Sequence, residues 1–253
     1  MNVPINFDKV ADIYDFYVNV DFDIPFFLKE TENTKSEILE LMCGTGRVSV
    51  PLLEAGRKMT CIDYSVGMLD IFSGKIEKKD YDVELINMDV TSLHLNKKFD
   101  LIILPFHSIT EILSTKLQYN ALESISKHLN KNGVFILTLQ NPKTRLKTAD
   151  GTERMLGEIK IDDNRKMVIY SMNQFNPSNK IVSGFQSYEI FDANNIMVEK
   201  RVLDICFKPI SDSELKDMIN NLGLEISATY GDYSYSRFDE ETSDFMIYKI
   251  VKR

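Results

Sequence analysis

Two glycines one residue apart, Gly44 and Gly46, follow directly on an apolar run in the stretch LELMCGTGRV, residues 39–48. Glycine lets a ligand approach the backbone and adopts torsions that other residues avoid. Helix-like sequence begins after the second glycine, and the first turn of a helix presents free N–H groups. A tight turn would explain a lone Gly-x-Gly equally well. Together with the following helix, however, the pattern predicts that a ligand lies against the backbone here.

Two carboxylates end the next two apolar runs along the chain. Asp63 ends the run CID and Asp89 ends the run INMD. A carboxylate after the first run can accept hydrogen bonds from both ribose hydroxyls of a nucleoside, and one after the second can accept from an exocyclic amine. Asp63 could instead cap a helix. Because the carboxyl ends of parallel strands meet at one edge of a sheet, we expect the glycines and both carboxylates to form one nucleoside site.

A nicotinamide cofactor is the first alternative for such a site. Its fingerprint is Gly-x-Gly-x-x-Gly, or Ala at the last position. The last position is Ser49 in this chain. The departure counts against a nicotinamide-dependent oxidoreductase but leaves it as an alternative.

The elements that must position these residues alternate along the first part of the chain. Short apolar runs predict strands, and amphipathic stretches between them predict helices. The strands are predicted at 37–42, 59–62, 83–87, 99–104 and 134–139, and the helices at 48–55, 68–78 and 117–129. With two closing strands at 224–230 and 244–251, this alternation predicts an α/β fold, a Rossmann-like doubly wound sheet of seven mostly parallel strands.

The pattern changes between residues 153 and 207. Three stretches there, 167–175, 181–191 and 196–207, alternate apolar with polar residues, and turn-forming residues separate them. We therefore expect an antiparallel β insertion, residues 153–207, that acts as a substrate cap. Residues 1–152 and 208–253 would then form the cofactor-binding domain.

Four stretches in combination resemble the successive motifs of the class I S-adenosylmethionine-dependent methyltransferases. They are LELMCGTGRVSVPLLEAG, IDYSVGML, NMDV and FDLIILPFHSI. An N-terminal aromatic helix with a Tyr14-Asp15 pair, the antiparallel insertion and the closing strands are similar to members that act on small molecules such as sugars, glycine or natural products. The resemblance implies S-adenosyl-L-methionine as methyl donor, without a metal, and methyl transfer to an O or N nucleophile of a small molecule.

The resemblance also implies which residues hold the cofactor. They are Tyr14, Gly44, Thr45, Gly46, Asp63, Tyr64, Met68, Asp89, Val90 and Pro105. The loop 44–46 would pass under the methionine and ribose, Asp63 would bind the ribose hydroxyls, and Asp89 the adenine amine. Pro105 would lie near the sulfonium. Arg47, bulkier than is common at its position, is expected to point outward.

Two residues are candidates for catalysis. His107 follows the fourth predicted strand and could serve as a base for a hydroxyl acceptor, whereas an amine needs only its neutral form. Tyr14 could cover the cofactor. Simple packing is an equally good interpretation of His107 and the more common one for an aromatic residue such as Tyr14. We find no cluster of His, Cys and Asp with the spacing of metal ligands.

The composition of the chain indicates which classes of partner the protein could bind. The formal net charge is −8, which disfavours nucleic acid and anionic membranes. No N-terminal signal or 20-residue apolar run is visible, so the cytoplasm is expected. We expect a small-molecule acceptor and a monomer or homodimer. The identity of the acceptor stays open, and so does a non-catalytic S-adenosylmethionine-binding protein as a further alternative.

Overall fold

The computed structural model describes residues 4–252. Its helices are α1 (Ala11–Tyr17), α2 (Ile24–Glu30), α3 (Ser49–Glu54), α4 (Val66–Ile76), α5 (Thr115–His128), α6 (Pro142–Arg145) and α7 (Asp212–Asn221). Its strands are β1 (Ile38–Leu41), β2 (Met59–Asp63), β3 (Val83–Asn87), β4 (Phe99–Leu104), β5 (Leu129–Gln140), β6 (Asp150–Lys160), β7 (Lys166–Asn176), β8 (Ile181–Phe191), β9 (Met197–Phe207), β10 (Leu224–Tyr230) and β11 (Phe245–Lys252). Within these residues no helix is both long enough and apolar enough to cross a bilayer.

The central sheet has seven strands in the order β10-β11-β5-β4-β1-β2-β3. Strands β1 to β5 pair in parallel, and β11 runs antiparallel to both β5 and β10. The predicted Rossmann-like, mostly parallel sheet is therefore confirmed. Because the chain adds β2 and β3 on one side of β1 and then crosses to β4 on the other, the carboxyl ends of β1 and β4 border a crevice.

Helices cover both faces of this sheet. All four residues of β1 are buried, as expected of a central parallel strand. One core cluster packs Leu122 of α5 and Leu215 of α7 against the sheet, and the other packs Phe27 of α2 and Phe72 of α4 against the opposite face. The two packed faces make the sheet a rigid support for the loops at its carboxyl edge.

A second sheet of four antiparallel strands follows in the order β6-β7-β8-β9. The predicted antiparallel insertion is confirmed as a sheet. Its turns contain Lys180 and Asn195 in the left-handed region, with φ of 57° and 59°. The sequence did not indicate β6 as a strand, because this edge strand has no fully buried residue to enforce alternation. It begins at Asp150, three residues before the predicted boundary at 153, and the division into two domains stays a prediction.

The N-terminal segment joins the two sheets. Ile13 and Tyr17 of α1 pack with Tyr188 and Leu203 of the second sheet. Asp8, before α1, accepts hydrogen bonds from the Ser65 hydroxyl (2.5 Å) and the Gly67 N–H (2.9 Å) at the start of α4. The segment therefore contacts both sheets.

Candidate active site

A cavity of about 1060 Å³ lies where the carboxyl edge of the central sheet, the N-terminal segment and the second sheet meet. Its lining includes Asp63 after β2, His107 after β4 and Phe207 at the end of β9. Ligand pockets usually measure about 300–1,000 Å³. This cavity is therefore at the upper end of that range.

The loop after β1 uses its two glycines for different purposes. Both have positive φ, 55° at Gly44 and 80° at Gly46. A Cβ atom on Gly44 would meet no atom within 4 Å, whereas one on Gly46 would lie 2.5 Å from the Phe72 ring. Gly44 therefore leaves open space beside the backbone, and Gly46 lets the loop pack closely on α4.

Asp63 is held at the end of β2 by two backbone donors. The Gly44 N–H donates to one carboxylate oxygen at 2.7 Å, and the Ser65 N–H donates to the other at 2.8 Å. Burial raises the pKa of Asp63 while these N–H groups oppose the rise. Each oxygen keeps a lone pair, so the carboxylate can still accept two hydroxyl donors from a ligand.

A polar network fixes α1 over the glycine loop. The Thr45 hydroxyl donates to Asp15 at 2.6 Å. Lys75 of α4 lies 2.6 Å from the same carboxylate and donates to the Thr45 carbonyl at 2.8 Å. Tyr14, the neighbour of Asp15, lines the cavity, and burial raises its pKa so that the hydroxyl stays protonated. The network thus holds a hydrogen-bond donor in the cavity.

Most residues predicted to bind the cofactor come together around this cavity. Those that line it are Tyr14, Gly44, Asp63, Tyr64, Met68, Asp89 and Val90. The Asp89 carboxylate also accepts a hydrogen bond from the Thr91 N–H at 2.7 Å. Thr45, Gly46 and Pro105 lie beside the cavity and are not part of its lining. The cofactor roles of all ten residues stay predictions.

His107 also lines the cavity and has positive φ, 55°. Its ring stacks on Phe106 with the centroids 4.9 Å apart. Burial, helped by the charges of Arg145 and Arg47, lowers the pKa of His107 to about 3. The imidazole is therefore neutral near pH 7 and is a weak base, better suited to hydrogen bonding than to removing a proton.

Arg47 does not point outward, so that prediction is wrong. Its guanidinium forms two hydrogen bonds of 2.6 Å with Asp23 and lies over the Phe106 ring, 4.4 Å from its centroid. Asp23, at the start of α2, is fully buried. The bidentate pair attaches α2 to the glycine loop, and this long-range partner could not be inferred from the local sequence.

The cavity lining also includes residues that were not among the predicted site residues. Among them, Met42 follows β1 with φ of 55°, Glu111 follows β4, and Arg145 ends α6. Only their positions just after sheet strands could have indicated them. Burial, with a smaller effect of the charge of Asp63, raises the pKa of Glu111 to about 8. Across residues 4–252, no group of three or more His, Cys, Asp or Glu side chains is arranged to hold a metal ion.

Comparison with known proteins finds a family match over part of the chain. Residues 38–133 match the model of a family described as a methyltransferase domain. This match covers less than half of the chain. The matched residues run from the start of β1 into β5 and include the glycine loop, Asp63 and Asp89.

Proteins similar to part of this chain are named as methyltransferases. The cypemycin N-terminal methyltransferase of a Streptomyces species is 30% identical over 105 residues, 42% of each chain. The glycine/sarcosine N-methyltransferase of Aphanothece halophytica is 26% identical over 137 residues, 53% of this chain and 52% of that one. The alignments thus span about half or less of these relatives.

The fold is shared over nearly the whole chain with a solved structure. An S-adenosylmethionine-dependent methyltransferase from Clostridium acetobutylicum has a TM-score of 0.82 with this chain at 22% identity, covering 97% of this chain and 98% of that one. At that identity the likeness establishes the fold, including the second sheet.

Proposed function

We propose that this protein transfers a methyl group from S-adenosyl-L-methionine to an N or O nucleophile of a small molecule. One observation carries the proposal. Asp63 and Gly44 are hydrogen-bonded to each other at the carboxyl edge of β1 and β2, and both face the cavity of about 1060 Å³. This is the edge at which α/β sheets bind nucleotides.

The lining residues fit the cofactor. The open space at Gly44 suits the methionine and ribose part, and the two oxygens of Asp63 suit the ribose hydroxyls. Met68 and Val90, both buried, offer apolar contacts to the adenine ring. Asp89 could accept from its amine. Thr45 and Gly46 would act by holding the loop in place.

The fold supports the reaction mainly by alignment and by excluding water. When bound, S-adenosylmethionine supplies an electrophilic methyl carbon: the acceptor's lone pair forms the new bond as the carbon–sulfur bond breaks. Tyr14 can donate a hydrogen bond to the reactants, because its hydroxyl stays protonated. Neutral His107 can orient an acceptor hydroxyl or amine, and its low pKa favours this role over that of a general base. The second sheet would act as the cap that closes the cavity.

An amine is the favoured acceptor. The two relatives described above are named as an N-terminal methyltransferase and a glycine/sarcosine N-methyltransferase, and glycine and sarcosine are amines. Glu111, an acidic group facing the cavity, also favours a basic acceptor. The cytoplasm, a small-molecule acceptor, and a monomeric or homodimeric state stay predictions.

The proposal is tested by measuring release of S-adenosylhomocysteine with a panel of small amines and alcohols. We expect turnover with at least one amine, and we expect Tyr14→Ala to reduce turnover while the protein stays folded by circular dichroism. Cofactor binding without transfer to any acceptor would favour the non-catalytic alternative, and reduction of NAD would favour the oxidoreductase.

A further inference from the structure

Glu111 faces the cavity without a partner. It ends the short 3-10 turn Ser108–Glu111 that follows β4. Between residues 4 and 252 no hydrogen-bond donor or cation meets its carboxylate; the charged group that acts on it is another acid, Asp63. The residue is half-buried and its carboxylate faces the cavity, so a ligand cation is the natural complement of this group.

Arg145 is the second unpaired charge in the cavity. Its guanidinium lies over the Phe207 ring, 5.0 Å from the centroid. No acid in the described part of the chain meets it, and desolvation lowers its pKa with nothing to oppose the effect. Arg47 provides the contrast, because its guanidinium is paired with Asp23 by two hydrogen bonds. Arg145 therefore keeps its forked set of donors free for an anion.

The two charges occupy different places along the edge of the sheet. Asp63 ends β2, Glu111 follows β4 and Arg145 follows β5, and the strand order is β5-β4-β1-β2. At about 4.8 Å per strand, the ends of β5 and β2 are three spacings, roughly 14 Å, apart. Arg145 thus lies far from the proposed ribose position, on the side bordered by β9, and Glu111 lies between the two.

We infer that the acceptor carries both an amine and an anionic group, a carboxylate or a phosphate, with the amine at Glu111 and the anion at Arg145. The inference rests on the proposed function. In the transfer, the lone pair of the neutral amine forms the new N–C bond, the C–S electrons stay on sulfur, and the proton leaving nitrogen goes to the Glu111 carboxylate and then to water. Glu111 would be a catalytic residue and Arg145 a specificity-determining residue.

The acid–base properties of Glu111 agree with this role. Burial raises its pKa to about 8, close to neutrality. A group that accepts a proton during turnover and releases it afterwards is most effective when its pKa lies near the working pH. The pKa of His107, about 3, is far below that range.

Four probes separate the two charges. β-Alanine carries an amine and a carboxylate, and O-phosphoethanolamine an amine and a phosphate. Ethanolamine carries the amine alone, and 3-hydroxypropanoate the carboxylate alone. With release of S-adenosylhomocysteine as the readout, we expect kcat/KM for at least one doubly charged probe to exceed that for ethanolamine by about tenfold or more. The better of β-alanine and O-phosphoethanolamine identifies the anion.

Variants assign the charges to the residues. Arg145→Met should raise KM for the preferred doubly charged probe by about 10- to 100-fold and change kcat/KM for ethanolamine much less. Lys143→Met is the matched control, since Lys143 lies in the same helix and pairs with Glu240 and Glu241 at the surface. Glu111→Gln should lower kcat for every amine and remove an acid limb from its pH profile, whereas Glu123→Gln on the exposed face of α5 should do neither.

Calorimetric titration with S-adenosylmethionine distinguishes failure of this inference from failure of the proposed function. If the cofactor binds but ethanolamine is preferred, the four probes react equally, or no doubly charged probe reacts, the inference is overturned. An Arg145→Met effect that is equal for ethanolamine and the charged probe would also overturn it. If the cofactor does not bind at all, it is the proposed function that fails.

Discussion

At the scale of single residues, Asp63 is the group on which the proposed cofactor site depends most. Its carboxylate has one backbone donor on each oxygen and faces the cavity. Asp63→Asn keeps the size of the side chain but removes the charge and one acceptor oxygen. We expect it to weaken S-adenosylmethionine binding by roughly 1–3 kcal/mol, about 5- to 150-fold.

Calorimetric titration measures this loss. Asp70→Asn on the exposed side of α4 is the matched control and should bind like the wild type. An Asp63→Asn variant that is folded and binds with wild-type affinity would remove Asp63 from the proposed site.

The buried residue Glu40 leads to a prediction of how the free energy of unfolding depends on pH. It is buried in β1, accepts a hydrogen bond from the Ser49 hydroxyl, and burial raises its pKa to about 8. The usual value for glutamate is about 4.3, so between these values the folded protein holds a proton that the unfolded chain has released. The free energy of unfolding therefore falls as pH rises, by up to about 1.4 kcal/mol per unit from this residue.

Glu40→Gln should remove this contribution, because an amide can still accept from Ser49 and does not ionise. Urea unfolding at about pH 5, 6.5 and 8 should show the variant gaining stability relative to the wild type as pH rises. If the free energies of unfolding of the variant and the wild type change in parallel over this pH range, Glu40 is not buried as a neutral acid.

Single residues also show how far the sequence could be interpreted. Gly44, Asp63 and Asp89 were identifiable because each follows a buried strand, and strand ends share one edge of the sheet. Met42 also follows a buried strand, but its positive φ could not be inferred from the sequence, since a non-glycine residue with positive φ is rare. Arg47 was misjudged because its buried partner, Asp23, lies on another helix.

At the scale of elements, α1 is the part of the site held by the fewest local contacts. It has seven residues, too few to be stable as an isolated helix. Its position over the glycine loop depends on Asp15, Thr45 and Lys75, and its outer side is tied to β9 by an ion pair of Asp12 with Arg201, with one bond of 2.9 Å.

Lys75→Met should loosen α1 and weaken S-adenosylmethionine binding several-fold, about 1 kcal/mol, because it leaves Asp15 and the Thr45 carbonyl without their cation. Hydrogen–deuterium exchange should become faster in residues 11–17. Lys78→Met, just beyond the end of α4 and exposed, is the matched control. Unchanged exchange in α1 would contradict this account of the helix.

Helices and strands were predictable where one face is buried, because burial makes apolar residues recur at a regular spacing along the sequence. Helix α7 begins with a capping box, for which the Ser-x-x-Glu spacing of Ser211 and Glu214 is typical, and the side chains of these two residues bond each other's backbone N–H groups. Strand β6 was missed because it is an edge strand of a partly exposed sheet, where few positions have to be apolar. The expectation that the second sheet caps the site rested on the change from strand–helix alternation to turn-linked strands between residues 153 and 207.

At the scale of the whole molecule, the net charge of −8 makes a prediction about partners. A protein that binds a nucleic-acid backbone needs clustered Lys and Arg, with affinity that falls steeply as salt rises. We expect no retention of RNA or DNA on a filter at physiological salt. Binding that weakens with salt, together with methylation of an RNA, would contradict the small-molecule assignment and leave the fold and cofactor proposals standing.

The central claim is that the cavity at the carboxyl edge of β1, β2 and β4 binds S-adenosylmethionine. The most direct measurement is an isothermal titration of the wild-type protein with S-adenosylmethionine, S-adenosylhomocysteine and NAD under the same conditions. We predict saturable one-to-one heats for the first two and none for NAD. Saturable binding of NAD, or no heat with either S-adenosyl compound, would contradict the claim.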